Sequence, residues 1–155
     1  MKPTWFSFGG TAAIVTSMGL IVGLHGSATA KASLVGSLLI IAVADNLTDS
    51  LSVHTYQEAE NLPARRALQA TAANFVARLL IGCSFAVLVL VLPAAAALWV
   101  SLAWGLLLLS ALTYRIARAR GADPRTEIAK HLAVCVLVLA ISKALGYWIF
   151  GNVQL

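Results

Sequence analysis

The sequence predicts an all-α, polytopic membrane protein of five transmembrane helices, and three observations lead there. Hydrophobic residues fill 60% of the 155 positions and charged residues only 11%, against about a quarter charged in a soluble domain. The mean hydropathy is +0.88. The apolar residues also fall in runs longer than a buried helix needs, each bounded by turn or charged residues. The bilayer is the expected solvent and partner. The expected localisation is integral and multi-pass, in the inner cell membrane if the source is prokaryotic, with residues 1–155 as one transmembrane domain.

The five runs lie near residues 8–24, 32–53, 70–92, 94–114 and 127–150. Only Leu92-Pro93-Ala94 separates the third from the fourth, so Pro93 predicts a tight helical hairpin there. Basic residues set the orientation, because short loops rich in Lys and Arg stay cytoplasmic. Arg65 and Arg66 follow the second run, and Arg115, Arg118, Arg120, Arg125 and Lys130 surround the gap after the fourth, whereas the opposite side offers Lys31 and the uncharged Pro93 turn. The N-terminus is therefore expected in the cytoplasm and the C-terminus outside. Trp99, Trp104, Tyr114, Tyr147 and Trp148 are expected as interfacial anchors. The first run has an alternative: Lys2, the apolar Thr11 to Leu24 and Ala28-Thr29-Ala30 have the form of a cleavable signal peptide. The later four helices are the same either way.

A net charge of +5 and a pI near 9.7 do not indicate nucleic acid, since the basic residues are sparse and lack aromatic interleaving. Cys83 and Cys135 lie inside apolar runs without metal-type spacing and are expected as small core residues. Gly19-x-x-x-Gly23 has the spacing that lets two membrane helices approach closely.

Chemistry concentrates in the second run, which is apolar in its outer half and polar from Asp45 onward. A carboxylate near the bilayer centre costs about 2.5–3.5 kcal/mol, so two need a function or a partner to offset them. Asp45, Asp49, Ser52 and Tyr56 follow helical spacing and share a face, with Asn46 and Thr48 beside it as neutral oxygen donors. Carboxylates one turn apart suit a hard divalent cation or a proton pathway; the alternative is a structural hydrogen-bonded network between helices. His54 and Glu58, also one turn apart, have the spacing to grip a transition metal, or form an ordinary interfacial ion pair. Arg78 is expected about one to two turns inside the cytoplasmic face, snorkelling or neutralising an aspartate. Lys143, deep in the last run, is expected to serve counter-charge or proton coupling, or else to snorkel outward.

Two segments resemble the vacuolar iron transporter family. Ala12-Ala-Ile14-Val15-Thr16-Ser-Met-Gly19-Leu-Ile-Val-Gly23-Leu24 is similar to that family's first-helix Asp-Gly-Ile-Val-Thr pattern. Leu47-Thr-Asp49-Ser50-Leu-Ser52-Val53 is similar to its Leu-Ala-Asp-Gly-Phe-Ser-Met in helix two. The resemblance implies a dimeric five-helix exporter of ferrous iron or manganese that works against protons. It also places Asp49 and Ser52 on the metal path between subunits, with Thr16 beside them. Three departures stand out: Ala12 replaces the family's acid, Val53 its methionine, and Asn61-Leu-Pro63-Ala-Arg-Arg66 its acidic cytoplasmic helices.

The expected function is thus proton-coupled transport of Fe2+ or Mn2+ as a homodimer, with no resident cofactor and no enzymatic activity. The candidate metal ligands are Asp45, Asn46, Asp49, Ser52, His54 and Glu58, and the candidate pathway or coupling residues are Thr16, Arg78 and Lys143. Two alternatives are a non-transporting accessory subunit, suggested by Ala12, and a metal-dependent intramembrane phosphotransferase. For the latter, Asp45-x-x-x-Asp49 resembles part of the CDP-alcohol phosphotransferase motif, although the upstream carboxylates of that motif are missing.

Overall fold

A computed structural model describes residues 4–25, 31–61 and 63–152, with side chains from Gly9 onward. Among these residues five helices follow one another: α1 (Thr4–Leu24), α2 (Lys31–Ala59), α3 (Ala64–Val91), α4 (Ala94–Arg120) and α5 (Pro124–Asn152). The last four are long and apolar enough to cross a membrane, while the apolar part of α1 described with side chains, Gly9–Leu24, is shorter. Lys2 and Ala28-Thr29-Ala30, which carry the signal-peptide alternative, lie outside the described residues.

Helices α2, α3 and α4 each stop for a local reason. Asn61, at φ 54°, tolerates the left-handed turn that closes α2. Leu92 is extended before Pro93 (ψ 152°), as the ring of a following proline requires. Gly121, at φ 70°, ends α4, with the Ala122 amide donating to the Ala117 carbonyl at 2.9 Å and the Gly121 amide to Arg118 at 3.3 Å, a Schellman closure that only glycine adopts without strain. Asp123 then caps α5: its carboxylate accepts from the Arg125 and Thr126 amides and from the Thr126 hydroxyl at 3.3, 3.1 and 2.6 Å, with Pro124 as the first helical residue. Those three donors hold the Asp123 carboxyl below its ordinary value, the Thr126 hydroxyl contributing most.

The helices outrun the apolar runs wherever polar residues continue the same backbone. α2 extends to Ala59, α3 begins at Ala64 rather than near 70, and α4 runs to Arg120. Bilayer-length hydropathy marks the greasy window, whereas residues such as Arg65, Arg66, Gln69 and Gln57 are good helix formers beyond it.

Helix α1 is the hub, and Ile14, Met18 and Ile21 on it are buried together with Phe85, Leu109 and Cys135. Small residues set the register around it. Gly105 of α4 leaves room for Met18, Gly82 of α3 lies against Ala42 of α2, and Gly146 of α5 sits on the Gly23 carbonyl. Gly19 and Gly23 face Ser142, so the Gly-x-x-x-Gly spacing is used inside the chain, where α1 crosses α5 closely. Outward-facing Ile40, Leu80, Leu90, Leu107, Leu137 and Leu145 are exposed, which suits hydrocarbon and not water.

Candidate functional site: an Asp-Arg-Asp cluster at mid-helix

Asp45 is 14 residues from Lys31 and 14 from Ala59, and Arg78 is 14 residues from Ala64 and 13 from Val91. At about 1.5 Å per residue, both lie roughly 20 Å from either end of their helices. Arg78 stands mid-helix because α3 begins six residues before the apolar run expected from residue 70.

There the guanidinium of Arg78, 6% exposed, spans both carboxylates of α2. One terminal nitrogen donates to Asp45 Oδ2 at 2.5 Å and the other to Asp49 Oδ2 at 2.9 Å. Asn74, one turn before Arg78, donates to Asp49 Oδ2 at 3.3 Å and to the Ser50 hydroxyl at 3.4 Å. Ser50 donates to Asn46 Oδ1 at 3.4 Å, and Asn46 donates to the Phe75 carbonyl at 2.8 Å. The result is a polar layer between α2 and α3 with two negative charges facing one positive charge. Arg78 Nε and Asn74 Oδ1 remain buried without a partner among the described residues.

Two backbone features make the layer fit. A single π-helical turn at Ile41–Asp45 precedes it; its extra residue turns the apolar half of α2 by about 100° relative to the polar half. The greasy face can then meet Gly82 while Asp45 and Asp49 meet Arg78. On α1, Gly9 lies directly over the Arg78 stem and the Asn74 amide, and a Cβ there would come within 2.8 Å of Arg78 Cγ and Cδ. Thr16 and Ser17 of α1, with Asn46, Arg78 and Gly82, border a cavity of about 10 Å3 beside the cluster, room for about one water.

The other sequence candidates lie elsewhere. Ser52 is exposed and donates to the Thr48 carbonyl at 3.0 Å, and Thr48 itself donates to Ala44 at 3.1 Å, so both hydroxyls are used along their own helix. Tyr56 is exposed. His54 Nε2 lies 3.3 Å from Glu58 and His54 Nδ1 3.4 Å from the Thr71 hydroxyl, more than one turn beyond Asp49 toward the end of α2. Lys143 donates to the His25 carbonyl at 3.2 Å, closing the end of α1, and sits 4.7 Å over the Tyr147 ring. Trp104 of α4 donates to the Ser84 hydroxyl at 3.1 Å. Among the described residues, no three His, Cys, Asp or Glu side chains of one chain converge.

Sequence reasoning overlooked a second polar site, formed by Arg120, Glu127 and His131 around a cavity next to α1. No family model, curated protein or solved structure matches the chain.

Proposed function

We propose that this chain is an integral membrane cation transporter whose substrate path passes Asp45 and Asp49, with Arg78 as the internal counter-ion that the cargo replaces. The carrying observation is the placement of two carboxylates and one guanidinium at the middle of two membrane-length helices. Intramembrane charge is costly and is kept where it moves an ion or a proton. Arg78 holds the carboxylates in a satisfied state while no cargo is present, and a cation reaching the site competes with it for the same Oδ2 atoms.

The residue resemblance supports Fe2+ or Mn2+ as cargo, with export coupled to protons, five spans, a cytoplasmic N-terminus and an external C-terminus. Since one chain offers two carboxylates here, a fuller oxygen shell requires a second copy, and a two-fold homodimer doubles Asp45, Asp49 and Asn46 around one axis. Thr16, beside the small cavity, belongs to the path, while His54 with Glu58 forms a separate mouth position.

Purified protein in liposomes, with a metal-quenched dye and a pH reporter inside, tests this. Wild type is expected to take up Mn2+ or Fe2+ with a matching pH change, Asp49→Asn to abolish uptake, and Arg78→Gln to bind metal more tightly while losing the pH change. Folded protein that moves neither metal would overturn the reading and favour an accessory subunit in which Arg78 permanently locks the carboxylates.

A further inference from the structure

On the side of α1 away from the aspartates, the N-terminal half of α1 and the adjoining ends of α4 and α5 line an open cavity of about 470 Å3. Its deeper wall is apolar, with Ala12, Val15 and Ile116, whereas the helix termini bring Arg120, Glu127 and His131 to it. Arg120 is the last residue of α4 and Glu127 stands in the first turn of α5, the level at which a bilayer changes from acyl chain to headgroup.

Three details define what fits. His131 Nδ1 donates to the Glu127 carbonyl at 2.8 Å, so in the neutral imidazole Nε2 is the acceptor. The Glu127 carboxylate accepts from Lys130 at 2.9 Å and keeps further lone pairs. Thr113, 2% exposed and bordering the same cavity, has a hydroxyl with no partner among the described residues, a vacancy that a ligand oxygen would satisfy. The site thus joins one strong anion binder, two acceptors and an unpaired hydroxyl to an apolar slot. A metal ion is a poor match, because Lys130 pairs with the Glu127 carboxylate and Arg120 lines the same cavity.

We propose that this cavity binds phosphatidylethanolamine. The phosphate sits on Arg120, the primary ammonium donates to Glu127 and His131 Nε2, the Thr113 hydroxyl meets an ester oxygen, and one acyl chain starts along Ala12, Val15 and Ile116. A choline headgroup has no N–H to give these acceptors, and a glycerol headgroup brings no positive charge to Glu127.

The test is native mass spectrometry of protein released from nanodiscs containing equal phosphatidylethanolamine, phosphatidylcholine and phosphatidylglycerol. Wild type should retain the ethanolamine lipid over choline by about ten-fold, the scale of one hydrogen bond to a charged group. Glu127→Gln should abolish that preference, and Arg120→Gln should weaken retention of all three lipids. Equal retention of the three by wild type, or a preference that survives both substitutions, would overturn the site. Displacement by soluble phosphoethanolamine at matched concentration would overturn the lipid as its occupant. None of these readouts depends on metal transport.

Discussion

Arg78 answers the charge of two side chains, so its removal and theirs are not equivalent. Asp49 is 26% exposed and also bonded to Asn74, while Asp45 is 53% exposed. An exposed ion pair contributes about 0–1 kcal/mol, and breaking a buried one costs about 3–5 kcal/mol; this cluster lies between. Arg78→Leu is expected to cost roughly 2 kcal/mol, within the range spanned by those exposed and buried pairs, by leaving both carboxylates without a cation. Asp49→Asn should cost more than Asp45→Asn, and combining Arg78→Leu with both asparagines should recover most of the loss. Thermal unfolding in detergent checks this; a triple variant no more stable than Arg78→Leu alone would show that charge balance is not what the cluster contributes. The pairing itself was within reach of the sequence. Asp45 precedes Asn61 by 16 residues and Arg78 follows it by 17, and a tight antiparallel hairpin brings equidistant residues to one level. What concealed it was the start of α3, whose polar first turns no hydropathy window includes.

Among the helices, the crossing of α1 with α5 depends on Gly23 and Gly146 more than on any apolar side chain. A Cβ at Gly146 would meet the Gly23 backbone, which cannot swing aside, whereas a Cβ at Gly36 of α2 meets nothing within 4 Å. Gly146→Ala is therefore expected to part the two helices at about 1–3 kcal/mol, as overpacking does. Gly36→Ala should leave stability unchanged or raise it by up to about 1 kcal/mol through helix propensity. Equal unfolding temperatures for the two variants would refute the backbone contact. The start of α5 gives a pH dependence. Because the folded Asp123 carboxyl is held below the ordinary aspartate value of 3.8, its capping contribution is complete above that value and is lost as pH falls through the depressed one. Amide exchange at Arg125 and Thr126 should accelerate only in that acidic window, and Asp123→Ala should exchange fast at every pH. Leu92-Pro93 made the earlier turn legible in the sequence, whereas this cap lay ahead of the run expected from residue 127. The π turn at Ile41–Asp45 left no such sign, because Ile-Ala-Val-Ala-Asp contains no glycine or proline. The cavity around His131 was equally hidden, since it joins the α4–α5 turn region to α1 at the other end of the sequence.

For the whole molecule, the helix directions gather charge at one end. The α2–α3 and α4–α5 turns lie on the same side, with Arg65, Arg66, Arg115, Arg118, Arg120, Arg125 and Lys130 on or near them, which is seven of the 11 basic residues. The other end holds Lys31, whose ammonium donates to the Leu92 carbonyl at 2.9 Å. Asymmetry of this size in short loops fixes insertion, because Lys and Arg near the ends of spans resist translocation. Glu58, Glu60, Asp123 and Glu127 also lie at the basic end, but carboxylates contribute little to orientation. With Cys83 and Cys135 replaced by alanine, a single cysteine at exposed Glu60 should react with an impermeant maleimide only in inside-out vesicles. One at Asn152, the last residue of α5, should react only in intact cells. Labelling of both from the same side would mean an even number of crossings between Glu60 and Asn152, so that one of α3, α4 and α5 does not span the bilayer. Labelling of each from the side opposite to that expected would invert the chain and bring the Arg120–Glu127–His131 cavity to the outer leaflet.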